Sequence, residues 1–531
     1  MISKLQALTV LNVQNNWQIR QIDKQTIPKI KSHNWQNAQL NENNYIVWQG
    51  GRQVRWLQQV FVLPENLQGY SLIGLSLRLA LTWWAEDAQI FVNGQLVQRG
   101  DLFDSSARVL LTPTVEAGEK ITVHLRLVSP GHDIGALMNS VCVYERDTSS
   151  QLSNLHFQGE PGFFAQEIAV LSKYLAEFEP EKLPNLLAQL NTINWQLVTD
   201  AQQFDNHLST LRQNLLPLAT KQRQRSFQLL GHAHLDMAWL WTTAETYEVA
   251  QRTFLSVLSL QQDFPTLTFG HTTSALYEWI EINCPELFAQ IQQAVKEGKW
   301  ELLGGMWVEP EVNITGGESL VRQLLYGQKY LQAKFSQIAK VAWLPDSFGF
   351  TWQLPQILAQ AGIEYFVTGK LHWNDSTKFP YGCFMWQSPD GTELLTMMSP
   401  PNLTGVMDTN PLTMANYGVE WEKQTGLTEA LWLPGVGDHG GGPTRDMLEV
   451  GDKLAKSAFF PEVKFPTAEK YLEQIAQQKS LPLWQDELYL ELHRGCYTTH
   501  AEQKKYNRLS EGLLYQAELF ATIAKIILQQ N

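Results

Sequence analysis

Cysteine is scarce: Cys142, Cys284, Cys383 and Cys496 are four in 531 residues, far apart and with no Cys-x-x-Cys pair. That excludes a disulfide scaffold and a thiolate zinc site, and it suits a reducing compartment, so a cytoplasmic location is expected. Positive charge is in deficit too. Lys and Arg total 40 against 53 Asp and Glu, a net charge of −13. The chain has no basic run beyond the short KQRQRS at 221–226, which reads as a solvated loop. Phosphate neutralisation needs Lys/Arg patches, so no nucleic-acid partner is expected. No apolar run reaches the roughly 18 residues of a membrane span, and no membrane partner is expected. The opening MISKLQALTVLNVQNNWQIRQ lacks the apolar core and small-residue cleavage site of a signal peptide. Repeats and low-complexity segments are absent as well.

What is present is a globular composition. Hydrophobic residues make up 44% and aromatics 11%, with 19 tryptophans, which excludes disorder and allows two or three domains with large cores. The tryptophans fit core packing, and their faces also suit sugar rings.

Periodicity divides the chain. Up to residue 160 it reads as β-sandwich. Leu75, Leu77, Leu79, Leu81 and Trp83 alternate, Ile121, Val123, Leu125 and Leu127 do the same, and Asn93-Gly94 between apolar runs signals a hairpin. Residues 161–225 take a helical period (Ile168, Val170, Leu171, Tyr174, Leu175, then Leu186, Leu187, Leu190) and read as a helical connector. Across 226–482 seven short apolar runs, at 227–231, 266–270, 300–304, 340–344, 364–368, 393–398 and 429–434, mostly alternate with helical stretches. That order predicts a parallel sheet or a seven-stranded β/α barrel. Residues 483–531 read as the start of a helical bundle, whose last helix carries Leu509, Leu513, Leu514, Phe520, Ile523 and Ile527 on more than one face and so needs partners.

Barrel active sites form at the carboxyl ends of the strands, and the segments after these runs are chemically dense: GHAHLDMAW (231–239), GGMWVEPEVN (304–313), PDSFGF (345–350), GKLHWND (369–375) and GVGDHGGGPT (435–444). In an extended segment His232, His234 and Asp236 share one side, a donor set suited to Zn²⁺, with Mn²⁺ or Co²⁺ as substitutes. The bland alternative is satisfied core histidines and a helix-capping Asp. Asp346 reads as a third metal ligand, a nucleophile or a helix N-cap. Asp438 is the candidate second catalytic carboxylate, beside His439 and a glycine run that permits close backbone approach. Trp239, Trp307 and Trp373 are candidates for stacking on sugar or for rim packing. Trp239, Trp307 and His439 are the expected substrate contacts.

HAHLDMAW, GGMWVEPEVN with GGESLVRQLLYGQKYL, WLPDSFGF and GDHGGGPT resemble glycoside hydrolase family 38, the α-mannosidases, on the cytosolic and vacuolar side. The resemblance runs from about 226 to the end of the sequence, and the β module before it is like the accessory domain of those relatives. It implies a zinc-dependent retaining α-mannosidase acting on terminal α-linked mannose of glycans or oligosaccharides. His234, Asp236 and Asp346 match zinc ligands, and Asp346 also matches the nucleophile. Trp239 matches the aromatic under the sugar, and Asp438 the acid/base. His232 is left as a neighbour of the ligands or of substrate.

The sequence departs from the family pattern at Pro310-Glu311-Val312-Asn313 and in lacking the family's fourth zinc ligand, a His in a His-Asp motif; His493 and His500 stand in other contexts. The sequence therefore reads as an N-terminal half, truncated in the bundle, with a separate chain or gene fragment supplying the missing C-terminal half. A homo-oligomer is compatible with it. Two other readings stand beside this one: a carbohydrate deacetylase on a related metal barrel, and an inactive sugar-binding remnant.

Overall fold

The computed structural model describes residues 1–21, 35–102, 105–131, 133–146, 160–402, 405–437, 440–478 and 480–528. Its N-terminal part packs two antiparallel sheets face to face. One is built on Gly135–Glu145, Ser76–Trp84 and Ser106–Thr112, the other on Asp87–Val92, Lys120–Val128 and Val54–Val62. Leu77, Leu79, Leu81 and Trp83 are all at most 1% exposed, and so are Ile121, Val123, Leu125 and Leu127. The two alternations thus face each other across one core. Asn93 and Gly94, at φ 48° and 86°, make the two-residue turn joining Asp87–Val92 to Gln95–Gly100. Both φ values are positive, as this hairpin turn demands.

The helices after residue 160 are more than a tether. Phe164, Ile168 and Leu171 of Pro161–Phe178 and Phe204, Leu208 and Leu211 of Ala201–Leu215 share one buried cluster with the sandwich strands. Buried Glu167 and Arg212 tie the two helices by paired bonds of 2.8 Å.

All seven apolar runs of the next region carry parallel strands. Ser226–Leu229 pairs with Glu429–Trp432, Gly231–His232 with Phe269–His271, and that strand with Trp300–Leu302. Gly304 N–H donates to Val341 O at 2.8 Å, leading to Val341–Trp343, then Tyr365–Thr368, then Glu393–Met398. Three further strands were not foreseen: Glu462–Lys464 beside Ser226–Leu229, antiparallel Cys383–Gln387 beside Glu393–Met398, and Leu483–Trp484 beside Cys383–Gln387, at the start of the stretch read as a helical bundle. The helix over 245–262 is Thr243–Asp263, opened by a capping box of Thr242 and Glu245. The helical stretch 273–297 is broken in two at Cys284-Pro285, because proline can start a helix but not continue one. The C-terminal helix Ala501–Leu528 buries no residue. It touches the rest through polar bonds: Glu511 accepts from Gly316 N–H and Ser319 Oγ, and Arg322 pairs with Glu518. The cysteines are free, and among the described residues no helix is long and apolar enough to cross a membrane.

An ion network joins the sandwich to the helix Arg445–Ala455, which directly follows the glycine run. Arg108 reaches Glu145 and Asp446 at 2.9 Å each. Arg78 pairs with Glu145 at 3.1 Å, with Asp446 at 3.3 Å and with Glu449. These groups are mostly withdrawn from water, so deleting one cation leaves carboxylates uncompensated. Arg108→Met is expected to cost about 2 kcal/mol, read as an earlier unfolding transition in urea. An unchanged transition would refute this role.

Candidate metal centre

Each dense segment leaves the carboxyl end of its strand, so the fold gathers them on one rim. There His234, Asp236 and Asp346 each offer a ligand atom, and the three atoms lie within 4.8 Å of one another. Imidazole with two carboxylates is a donor set for zinc or a similar divalent ion. Among the described residues this is the group suited to a cation, and neither His493 nor His500 is part of it.

Neither acid caps a helix. The cap after Asp236 is Thr242, and the helix after Asp346 starts at Leu354 behind Gln353. Asp236 is instead fixed through its backbone: Trp241 Nε1 and Thr246 Oγ1 donate to its carbonyl at 3.2 and 3.1 Å. Its Oδ1 lies 2.9 Å from His234 Nε2. Burial alone would lower the pKa of His234. The bond to Asp236 and the charges of Glu309, Asp236 and Asp346 outweigh it and hold the imidazole up at about 9.

Two residues that the sequence reading did not single out complete the arrangement. Glu309 Oε1 accepts from Asp346 N–H at 2.8 Å and from Ser347 N–H at 2.9 Å, and its Oε2 lies 4.0 Å from His234 Nδ1. One carboxylate thus faces the ring nitrogen of His234 and fixes the backbone of Asp346. Burial pushes the Glu309 carboxyl up, against the pull of His234. Lys370, 3% exposed, donates from Nζ to Asp346 Oδ1. Both residues lie inside flagged segments, GGMWVEPEVN and GKLHWND. Membership of those segments was the only signal the sequence offered for either residue.

His232 does not join the group. Its Nδ1 donates to Gly270 O at 3.0 Å, its ring packs on Trp343 at 5.2 Å, and burial lowers its pKa to about 3. The strand ends at His232, so the every-second-residue rule does not carry through to His234 and Asp236. Trp239 is 56% exposed, edge-on to Trp241. Trp307 is half-buried against Tyr330 of Gly317–Phe335. Asp438 and His439 lie outside the described residues. Their flanks are described: a Cβ on Gly435 would fall 2.1 Å from His232 O, and one on Gly440 2.3 Å from Val249 Cγ1. These glycines permit close approach of protein to protein. In the departing motif, Glu311 accepts from the N–H of Asn313 and Ile314, and Asn313 Nδ2 donates to Phe348 O and Tyr497 Oη.

Comparison with known proteins fits this geometry. The chain matches the glycosyl hydrolases family 38 N-terminal domain over residues 224–487, and the alpha mannosidase middle domain over 491–531. The chain belongs to glycoside hydrolase family 38. It is 33% identical to Alpha-mannosidase G of Dictyostelium discoideum over 339 residues, 64% of this chain and 31% of that one. It is 34% identical to Alpha-mannosidase 2C1 of Homo sapiens over 302 residues, 57% of this chain and 29% of that one. An alpha-mannosidase structure from Enterococcus faecalis V583 matches at 20% identity with a TM-score of 0.44, covering 50% of this chain and 31% of that one. The chain thus spans about a third of the length of the relatives it matches.

Proposed function

We propose that this family 38 chain carries the catalytic centre of a zinc-dependent retaining α-mannosidase that removes terminal α-linked mannose from glycans or oligosaccharides in the cytoplasm. The observation that carries the reading is the convergence of His234, Asp236 and Asp346 on one rim. These residues fit a zinc ion and would hold it; when bound, zinc supplies Lewis acidity at the sugar hydroxyls and offsets charge on the carboxylates. Asp346 is the nucleophile. It attacks the anomeric carbon, the glycosidic bond breaks, and a glycosyl-enzyme forms. Asp438 gives its proton to the leaving oxygen and then takes one from the incoming water. Trp239 offers an exposed indole to the sugar face, with Trp307 and His439 as further contacts. Family membership favours this reading over a deacetylase.

The chain spans about a third of its relatives, and the helix Ala501–Leu528, within the middle-domain match, buries nothing. We read that helix as a docking surface for further middle-domain residues.

The cation reading has a direct test. The purified chain is expected to retain close to one equivalent of Zn²⁺ after dialysis. His234→Ala and Asp236→Ala are each expected to lower its affinity by about a hundredfold or more, because either loss leaves two protein donors. Metal analysis and chelator competition read this out. Equal zinc content in parent and variants would overturn the assignment.

A further inference from the structure

Lys370 opens the short turn Lys370–Trp373 that follows the strand Tyr365–Thr368. A lysine head group is strongly hydrated and is seldom buried without strong compensation. Here the compensation is specific. Nζ donates to Asp346 Oδ1 and lies 4.5 Å from the ring centre of Phe348 and 4.1 Å from that of Trp373. Phe348 sits two residues beyond Asp346 on the same loop, and Trp373 belongs to the turn of Lys370 itself. The aromatic faces seat the cation, so its position is set by packing.

Charge explains why a cation belongs there. Asp236, Glu309 and Asp346 bring three carboxylates within reach of His234, against one ammonium. With His234 neutral, two negative charges are left over, the charge that a single divalent cation cancels. Without Lys370 the excess is three, and both oxygens of Asp346 are open to the cation. A carboxylate bound to a divalent ion through both oxygens gives more of its charge to the ion and is the weaker nucleophile for it.

We propose that Lys370 is a positioning residue: it holds one oxygen of Asp346 and so limits the carboxylate to a single bond with a divalent cation. The proposal rests on the reading of Asp346 as metal ligand and nucleophile. It runs against intuition in one respect, since removing Lys370 tightens the metal while weakening the enzyme.

The test uses the full chain with Co²⁺ as the probe, bound in competition with a chromogenic chelator and followed by visible absorption. Lys370→Met is expected to bind Co²⁺ about tenfold more tightly than the parent, since a competing positive charge has gone. Its cobalt spectrum should change as Asp346 takes the ion through both oxygens, and Lys370→Arg should stay close to the parent. Where an aryl α-mannoside is turned over, Lys370→Met should lose about a hundredfold in kcat with KM nearly unchanged. A merely structural lysine would loosen Co²⁺ along with the fold. Equal or weaker Co²⁺ binding in a folded Lys370→Met, judged by circular dichroism, overturns the proposal. Should that variant not fold, Lys370→Gln supplies the same comparison, and unfolding of both overturns it too. Asp346→Asn separates the two ideas. If it binds Co²⁺ as the parent does, or if the parent binds none, the cation reading itself fails and Lys370 has no rival to exclude.

Discussion

Asp346→Asn is expected to abolish hydrolysis of aryl α-mannosides whatever the leaving group, by about four orders of magnitude or more. The first covalent step needs a carboxylate at that position, and an amide oxygen is a far weaker nucleophile. Asp438→Asn should behave differently. A nitrophenolate leaves with little protonation, so the glycosyl-enzyme still forms on activated substrates, whereas a mannosyl-mannose bond with its poor leaving group stays intact. Added azide should speed breakdown of the intermediate in Asp438→Asn alone, because azide needs no general base. The measurements are initial rates on an activated mannoside and a disaccharide, with the anomer of the first product. Equal losses for both variants on both substrates would remove the assigned roles, and an inverted product would remove the retaining mechanism.

How far the sequence reached differs from element to element. Strands half-exposed to water were plain, because Leu77 to Trp83 and Ile121 to Leu127 alternate between a core and a surface. The seven runs of the parallel region were visible as short apolar blocks. Glu462–Lys464, three residues with no fully buried member, left no such block. The helical period of 161–225 was visible too, but a period says that a face is buried and not against what. That these helices complete the sandwich core emerged only in three dimensions.

The same limit applies at the rim. His234, Asp236 and Asp346 were legible because chelating residue types clustered after strands. His232 was grouped with them by spacing, yet its ring turned to Gly270 O and Trp343. Glu309 and Lys370 act through a backbone N–H and a carboxylate distant in sequence, and no local pattern encodes such partners. Asp438 and His439 rest on the sequence reading.

The proton on His234 makes the second large expectation one of pH. Its imidazole is held at about 9, above the ordinary 6.5, by the bond to Asp236 and the nearby carboxylates. A cation binds the neutral ring, so it must displace that proton. The apparent affinity for Zn²⁺ or Co²⁺ should then rise about tenfold per pH unit below 9, about a hundredfold between pH 6 and 8. Stability should carry the opposite sign without metal. A raised pKa stabilises the folded chain by an amount fully present below pH 6.5 and lost as the pH climbs through about 9. The metal-free chain should therefore lose stability across that window, while the metal-loaded chain, whose His234 carries no proton to lose, should not. His234→Gln should flatten both trends, because the exchangeable proton is gone. Chelator competition and thermal unfolding across pH 6–9, on parent and variant, test the two together. A metal affinity in the parent that does not change with pH would show that His234 is neutral before the cation arrives. In that case Asp236 would be a neighbour of the ring and not the keeper of its proton.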